Sequence, residues 1–303
     1  MTLTSERAPL IRRPTRTHEI TLTDPSDLSD VEDMLRDHVT RGTLELPPLP
    51  GTAAELHRLA SDPRATLDDV GKLVEREANL ASRVMRVANS PVLRGTSPVT
   101  DLRRAITRLG IAGVRDLAMA VSMGRVLRSG PLLKETQRVV THSFAVACGV
   151  QWVCKQLQLD AQYGFLCGLM HDIGSIALLS VLAPMAERDP RLRNVSAVGK
   201  LVDGLHAETG GLVLQHWRMP SLVADVARWH HRPHQAGAAM PMTLVVAAVN
   251  DAARPEVSGA QRVARLAQTP GVYQAGLTPA HFPMLARLLD DALSDEMVQS
   301  LAA

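Results

Sequence analysis

Apolar residues recur along this chain at three- and four-residue intervals, with no sustained strict alternation, so the pattern predicts helices from one end to the other. Leu28, Val31, Leu35 and Val39 share one helical face, which Gly42 ends. Leu46-Pro47-Pro48-Leu49-Pro50-Gly51 then fixes an extended entry, because each proline restricts the residue before it and cannot continue a helix from within. Thr52 to Ala60 reads as a short helix stopped by Ser61-Asp62-Pro63. Thr66 is placed to cap the next one, with Asp69 in its first turn and Leu67, Val70, Leu73 and Val74 at helical spacing. Further helices are expected over about Asn79 to Asn89, from Thr100 to Gly110, and from Ile111 to Leu127.

From Leu133 to Leu182 the chain reads as mostly long, apolar helix, with Val146, Val150, Val153 and Leu157 on one buried stripe. A turn or helix end is expected where His206 approaches Gly210-Gly211. Ser221 is placed to cap a helix that finishes at Arg228 to Pro233, and Met242 to Ala253 form another. Thr278-Pro279 is a good start for a last helix running to about Leu301. Residues 1–27 lack a sustained apolar period and read as a flexible leader. The fold class is therefore all-α.

Charge narrows the function classes. The 303 residues carry 33 basic and 31 acidic side chains, a formal charge of +2, which supplies no general attraction to polyanions. Leu67 to Asn89 has the character of a helix-turn-helix, and Arg103, Arg104, Arg108 and Arg115 flank Leu109 to Val114, where a phosphate contact is conceivable. Such arginines more often form a solvated helix face, and with only 3% aromatic residues there are few stacking platforms, so nucleic acid is disfavoured as a partner. Cys148, Cys154 and Cys167 sit in apolar stretches and read as reduced core thiols. No uninterrupted apolar span approaches about twenty residues and the N-terminus has no signal core, so a cytoplasmic protein without a membrane segment is expected.

The candidate chemistry lies in Gly168-Leu169-Met170-His171-Asp172-Ile173-Gly174. His142 precedes it, and His206, His230, His231 and Asp251 follow. Imidazoles and carboxylates are the usual donors for transition ions, and adjacent donors on a helix diverge, so the pair needs partners from other segments. One reading is a site for one or two divalent ions, Fe, Mn, Zn, Ni or Co. The other is a hydrogen-bonded polar core in which Asp172 accepts from a neighbouring imidazole. Met119, Met123 and Met170 read as core filler.

Several motifs together resemble the HDOD family, the HD-related output domain of bacterial signalling proteins. In the first half these are Leu46 to Pro50, Glu77 with Leu80, Val87-Ala88-Asn89-Ser90-Pro91 and Ala105-Ile106-Thr107-Arg108-Leu109-Gly110. In the second they are His142-Ser143, Gly168 to Gly174, His206-Ala207-Glu208-Thr209-Gly210, Trp217-Arg218-Met219-Pro220 and His230-His231. The resemblance implies two packed helical lobes, at about 44–130 and 131–235, the second like an HD domain. A leader with one helix (1–43) would precede this 44–235 unit, and a helical extension (236–303) would pack on the second lobe.

By the same resemblance, His142, His171, Asp172 and Asp251 correspond to ligands of a first metal in the HD superfamily, and His206, His230 and His231 to those of a second, with Asp172 bridging. The implied role is regulation through signalling proteins met in trans, or through a bound nucleotide or other small molecule, without catalytic turnover. The alternative is a divergent metal-dependent phosphohydrolase, a phosphodiesterase or nucleotidase, in which Asp172 would act with metal-bound water. Against that alternative, Ser175 stands where catalytic relatives commonly place a phosphate-contacting lysine, and the Gly-Tyr-Pro signature of cyclic di-GMP phosphodiesterases is replaced by Arg232-Pro233-His234. Ser175 and Arg232 are the candidate substrate contacts.

Overall fold

The structure is a computed structural model that describes residues 27–44, 51–89, 97–124, 130–159 and 163–294; every regular element among them is helical. Residues 1–26 of the leader, the proline-rich entry at 46–50, residues 125–127 and the C-terminal continuation past 294 lie outside the described residues.

The first lobe consists of α2 (Gly51–Ala60), α3 (Leu67–Glu75), α4 (Ala78–Ala88) and α5 (Leu102–Gly124). Thr66 caps α3 as its sequence requires: the Thr66 hydroxyl accepts from the Asp69 N–H, and the Asp69 carboxylate accepts from the Thr66 N–H. Asn89 uses one side chain to fasten two segments, since its amide donates to the Met85 and Val99 carbonyls and its oxygen accepts from the Val99 N–H. Within α5 the helix breaks at Gly110, whose φ of 71° and ψ of 171° are open only to glycine. Arg108 is spent inside the lobe, donating to the Ala88 and Ser97 carbonyls.

The second lobe follows with α6 (Leu133–Gln156), α7 (Gly164–Met170), α8 (Ile173–Ala186), α9 (Val195–His216), α10 (Ser221–Trp229) and α11 (Met240–Ala252). After it come α12 (Gly259–Gln268), α13 (Pro270–Gln274) and α14 (Phe282–Ser294). The stretch from Leu133 to Leu182, expected to be mostly long, apolar helix, comprises three helices. Gln158, with a φ of 54°, lies just beyond the end of α6, and His171-Asp172 separates α7 from α8. Apolar periodicity misses such breaks when almost every face is buried, as along α8. Gly210-Gly211 is likewise no turn but the interior of α9, where the lack of side chains permits close packing. The last described helix begins at Phe282 rather than beside Thr278-Pro279, because the Thr278 N–H is capped by His281 Nδ1 at 3.0 Å and the turn closes there.

One contiguous core runs through both lobes. It joins Val70, Leu80 and Ile106 to Val146, Val150 and Leu169, and includes Phe282, Leu285 and Leu289 of α14. Met119 and Met170 are buried. A smaller core has a less expected composition. The N-terminal α1 (Ser29–Arg41) precedes the first lobe in sequence, yet its flank and inner face, Leu28, Val31 and Leu35, pack with Leu178, Leu182, Val198 and Leu201 of α8 and α9. Arg191 secures it by donating to the Asp30 carboxylate at 2.9 Å and to the Asp27 carbonyl at 3.0 Å.

Gly164–Ala186 is long and apolar enough to cross a membrane by length and composition, but 78% of its most apolar window is buried within the fold. The apolar run therefore serves as core. Cys154 and Cys167 are buried thiols and Cys148 is half-buried. At the junction of the lobes, Arg115 pairs with Asp116 at 2.6 Å while its guanidinium lies 5.3 Å from the centre of the Tyr163 ring.

Candidate metal centre

Asp172 occupies the break between α7 and α8 without capping the helix that follows, so its carboxylate is available to other segments. Two close approaches bring those segments in. A Cβ on Gly174 would lie 1.9 Å from the His206 carbonyl oxygen and 2.5 Å from the Gly210 nitrogen, so only glycine lets the backbones of α8 and α9 meet. Similarly, a Cβ on Gly168 would lie 2.6 Å from Ala147 Cα, which sets α7 against the helix that carries His142.

The result is a carboxylate with an imidazole set on each oxygen. His171 Nε2 lies 3.2 Å and His142 Nε2 4.0 Å from Asp172 Oδ2. His206 Nε2 and His230 Nε2 lie 3.3 and 3.5 Å from Oδ1. His231 completes the second side, with its Nε2 2.9 Å from that of His206. In each of the sets His142–His171–Asp172 and His206–His230–His231, one potential ligand atom per residue falls within 4.8 Å of the others.

Backbone carbonyls fix the direction of three rings. His171 Nδ1 donates to the Gly168 carbonyl at 2.8 Å, His230 Nδ1 to that of Ala227 at 2.8 Å, and His206 Nδ1 to those of Asp203 and Val202 at 3.0 and 3.2 Å. A carbonyl only accepts, so each Nδ1 carries a proton and each ring turns its Nε2 inward. Metal-binding histidines are oriented by this kind of contact. Nε2 atoms that face one another, as those of His206, His230 and His231 do, need a proton or a metal ion between them. His171 Nε2 is buried and has no aligned hydrogen-bond partner, although Asp172 is near.

The electrostatics agree. Burial pushes Asp172 upward, but His171, His206 and His230 hold it well below the ordinary carboxylate range. Burial opposes charge on His171, yet Asp172 raises it overall. Burial, reinforced by His171, holds His142 and His230 below the usual imidazole value, and His231 is lowered first by burial and then by His206. The centre combines one firmly ionised carboxylate with three imidazoles, those of His142, His230 and His231, biased toward the neutral form, the states in which both groups ligate metals.

Six of the seven expected donors are therefore brought together, and Asp251 is not among them. Its carboxylate accepts from Arg265 at 2.6 Å and from the Thr269 hydroxyl at 3.0 Å, with Arg254 at 3.3 Å. Chain order identified the correct helix, but successive residues point about 100° apart around it. The residue that reaches the centre is Asn250, whose Oδ1 lies 2.8 Å from His142 Nε2 and whose amide also interacts with His171. Apolar spacing in the sequence did not separate the two, because Leu244 and Ala248 precede Asp251 at helical spacing as Thr243 and Val246 precede Asn250, and all four are buried. Ser175 is buried in the first turn of α8, where its N–H donates to the Asp172 carbonyl at 2.9 Å. Arg232 is exposed beyond His231, and its N–H donates to the Trp229 carbonyl to close the end of α10.

Comparisons with known proteins agree with this architecture. A candidate metal-dependent phosphohydrolase from Shewanella amazonensis SB2B superposes with a TM-score of 0.68 at 20% identity, over 91% of this chain and 99% of that one. An HDOD domain protein of unknown function from Geobacter sulfurreducens superposes with a TM-score of 0.60 at 18% identity, over 91% and 98%. At these identities the likeness is one of fold. An uncharacterized protein of Treponema pallidum (strain Nichols) is 27% identical over 218 residues, which is 68% of this chain but only 42% of that relative's length. Residues 46–233 match the HDOD domain, and with well over half of its length in that match the chain belongs to the HDOD family.

Proposed function

We propose that the protein is a regulatory module whose His/Asp centre holds a divalent transition-metal ion and acts through binding, without turnover. The observation that carries this reading is the convergence of imidazoles from α6, α9 and the end of α10 on the two oxygens of Asp172. His142, His171, His206, His230, His231 and Asp172 would be the ligands. A bound ion would polarise the oxygen of an anionic ligand such as a phosphate and make that ligand's binding depend on the metal.

The chain's own residues favour recognition over catalysis. Ser175 places a small, buried hydroxyl side chain where related hydrolases carry a phosphate-contacting cation. The centre is also wired to the first lobe: α7 ends at His171-Asp172, begins beside Tyr163, and Tyr163 lies under Arg115 of α5. A change at the centre thus has a short path into the first lobe, by way of which signalling proteins could read it in trans. A second reading, a metal-dependent phosphohydrolase, is favoured by the same donor set.

One experiment separates the two. Protein purified without chelator and supplied with Zn²⁺, Mn²⁺ or Fe²⁺ is expected to retain metal and to release no product from bis(p-nitrophenyl) phosphate or nucleoside triphosphates. Metal-dependent product release abolished by Asp172→Ala would establish the hydrolase instead.

A further inference from the structure

We propose that Asn250 limits the centre to one divalent ion, held on the side of His206, His230 and His231, and that the side of His142 and His171 stays closed to a second. This inference rests on the metal-binding reading above and adds which half is filled and what excludes the other.

Charge is the first argument. Asp172 is the carboxylate that the surrounding imidazoles share, and an imidazole that ligates a metal brings no negative charge. One dication on this set leaves a local charge of about +1, whereas two leave about +3, in a site largely removed from water. Other carboxylates near the centre do not change the sum. Asp251 is neutralised by Arg265 and Arg254, and Asp203 on the rim lies within the field of Arg254 as well as of Asp172. Asn250, which does reach the centre, brings an amide with no charge.

Geometry is the second. His206 and His230 have their Nε2 lone pairs aimed inward by carbonyls on Nδ1, and His231 Nε2 stands 2.9 Å from that of His206. With Asp172 Oδ1 they form a four-donor set of the kind that holds a tetrahedral ion. On the opposite side, His142 Nε2 is engaged by Asn250 at 2.8 Å. In either orientation of the amide this nitrogen is occupied, donating to the oxygen or accepting from the NH₂. A second ion would have to break that contact and would gain no negative charge in return. Asn250→Asp supplies the missing charge on the atom that now faces His142.

The test is metal stoichiometry with an independent reading of affinity. Wild type, Asn250→Asp, His142→Ala and His231→Ala are titrated with Zn²⁺ by calorimetry and assayed by elemental analysis after desalting, with thermal melts to confirm folding. Expected are one ion per chain in wild type, two in Asn250→Asp, one still in His142→Ala, and an affinity at least roughly a hundredfold weaker in His231→Ala. Two ions in wild type would overturn the inference while leaving metal binding intact, as would Asn250→Asp remaining at one. Loss of the ion in His142→Ala but not in His231→Ala would overturn the assignment of the half-site. No ion in any variant would overturn the metal-binding reading itself and this inference with it. Should Asn250→Asp fail to fold, the wild-type count and the two histidine variants still decide the occupied side.

Discussion

Asp116 and Asp172 are both carboxylates withdrawn from water near the junction of the lobes, and their surroundings drive them in opposite directions. Burial pushes Asp116 up to about 6, because Arg115, its neighbour on the same helix, offsets the loss of hydration only in part. Burial pushes Asp172 up as well, yet His171, His206 and His230 hold it well below the ordinary range. The difference lies in how partners are delivered. An adjacent residue meets one edge of a carboxylate, whereas donors from α6, the α7 end, α9 and the α10 end surround it. The first arrangement tolerates a charge; the second is organised to keep one, as the proposed metal site requires.

The comparison breaks most completely if the approach of α8 to α9 is lost. Gly174→Ala would force a Cβ against the backbone of His206 and Gly210, which cannot swing aside as a side chain could. A loss of about 3 kcal/mol or more in urea unfolding is expected, together with loss of metal. Unchanged stability would mean that the helix contact does not build the centre.

Asp172→Asn keeps the shape of the carboxylate and removes its charge. Zn²⁺ affinity is expected to fall at least about a hundredfold. In metal-free wild type, the depressed Asp172 contributes stability that is present above its unfolded value near 3.8 and is lost as pH falls through the lower folded value. The asparagine variant should therefore lose that acid-limb dependence in equilibrium unfolding.

Asp116→Asn sharpens the contrast because its sign is reversed. Between the unfolded value of 3.8 and the folded value of about 6, the folded state binds more protons, so this carboxyl makes stability fall as pH rises through that window. Its contribution is on the order of 2 kcal/mol. Unfolding at pH 4 and pH 7 should show a flatter dependence in the variant than in wild type, and an equal slope would show that Asp116 is not the group responsible.

The smallest effect belongs to the clamp on α1. Arg191 is partly exposed, so Arg191→Ala is expected to cost less than about 1 kcal/mol overall. It should nevertheless accelerate amide exchange in Ser29–Arg41 relative to α9, since the guanidinium fastens that helix to the second lobe.

The sequence made the helices of the first lobe legible because each was bounded by local chemistry: the Thr66 capping box, the Gly110 break and the Asn89 stop. It obscured the breaks in the second lobe, where α8 is buried on nearly all faces and has no polar stripe to mark its start. Gly210-Gly211 carried the signature of a turn but serves helix contact, a distinction that only a neighbouring backbone can make. α12 and α13 were not placed individually within the expected helical extension, and the docking of α1 on the second lobe, which depends on contacts distant in sequence, went unanticipated. The donor types were legible as an ordered series, and six of them converge. Asp251 misled because carboxylate chemistry drew attention past Asn250, and α11 is buried on too many faces for its apolar pattern to tell the two apart.

The central claim is that this centre takes one ion beside Asp172 Oδ1. A crystal grown with Zn²⁺ and measured on both sides of the zinc absorption edge tests it most directly. The account predicts a single anomalous peak bounded by His206, His230, His231 and Asp172, with Asn250 still against His142. Two peaks astride the Asp172 carboxylate, a peak only at His142 and His171, or no peak at all would contradict it.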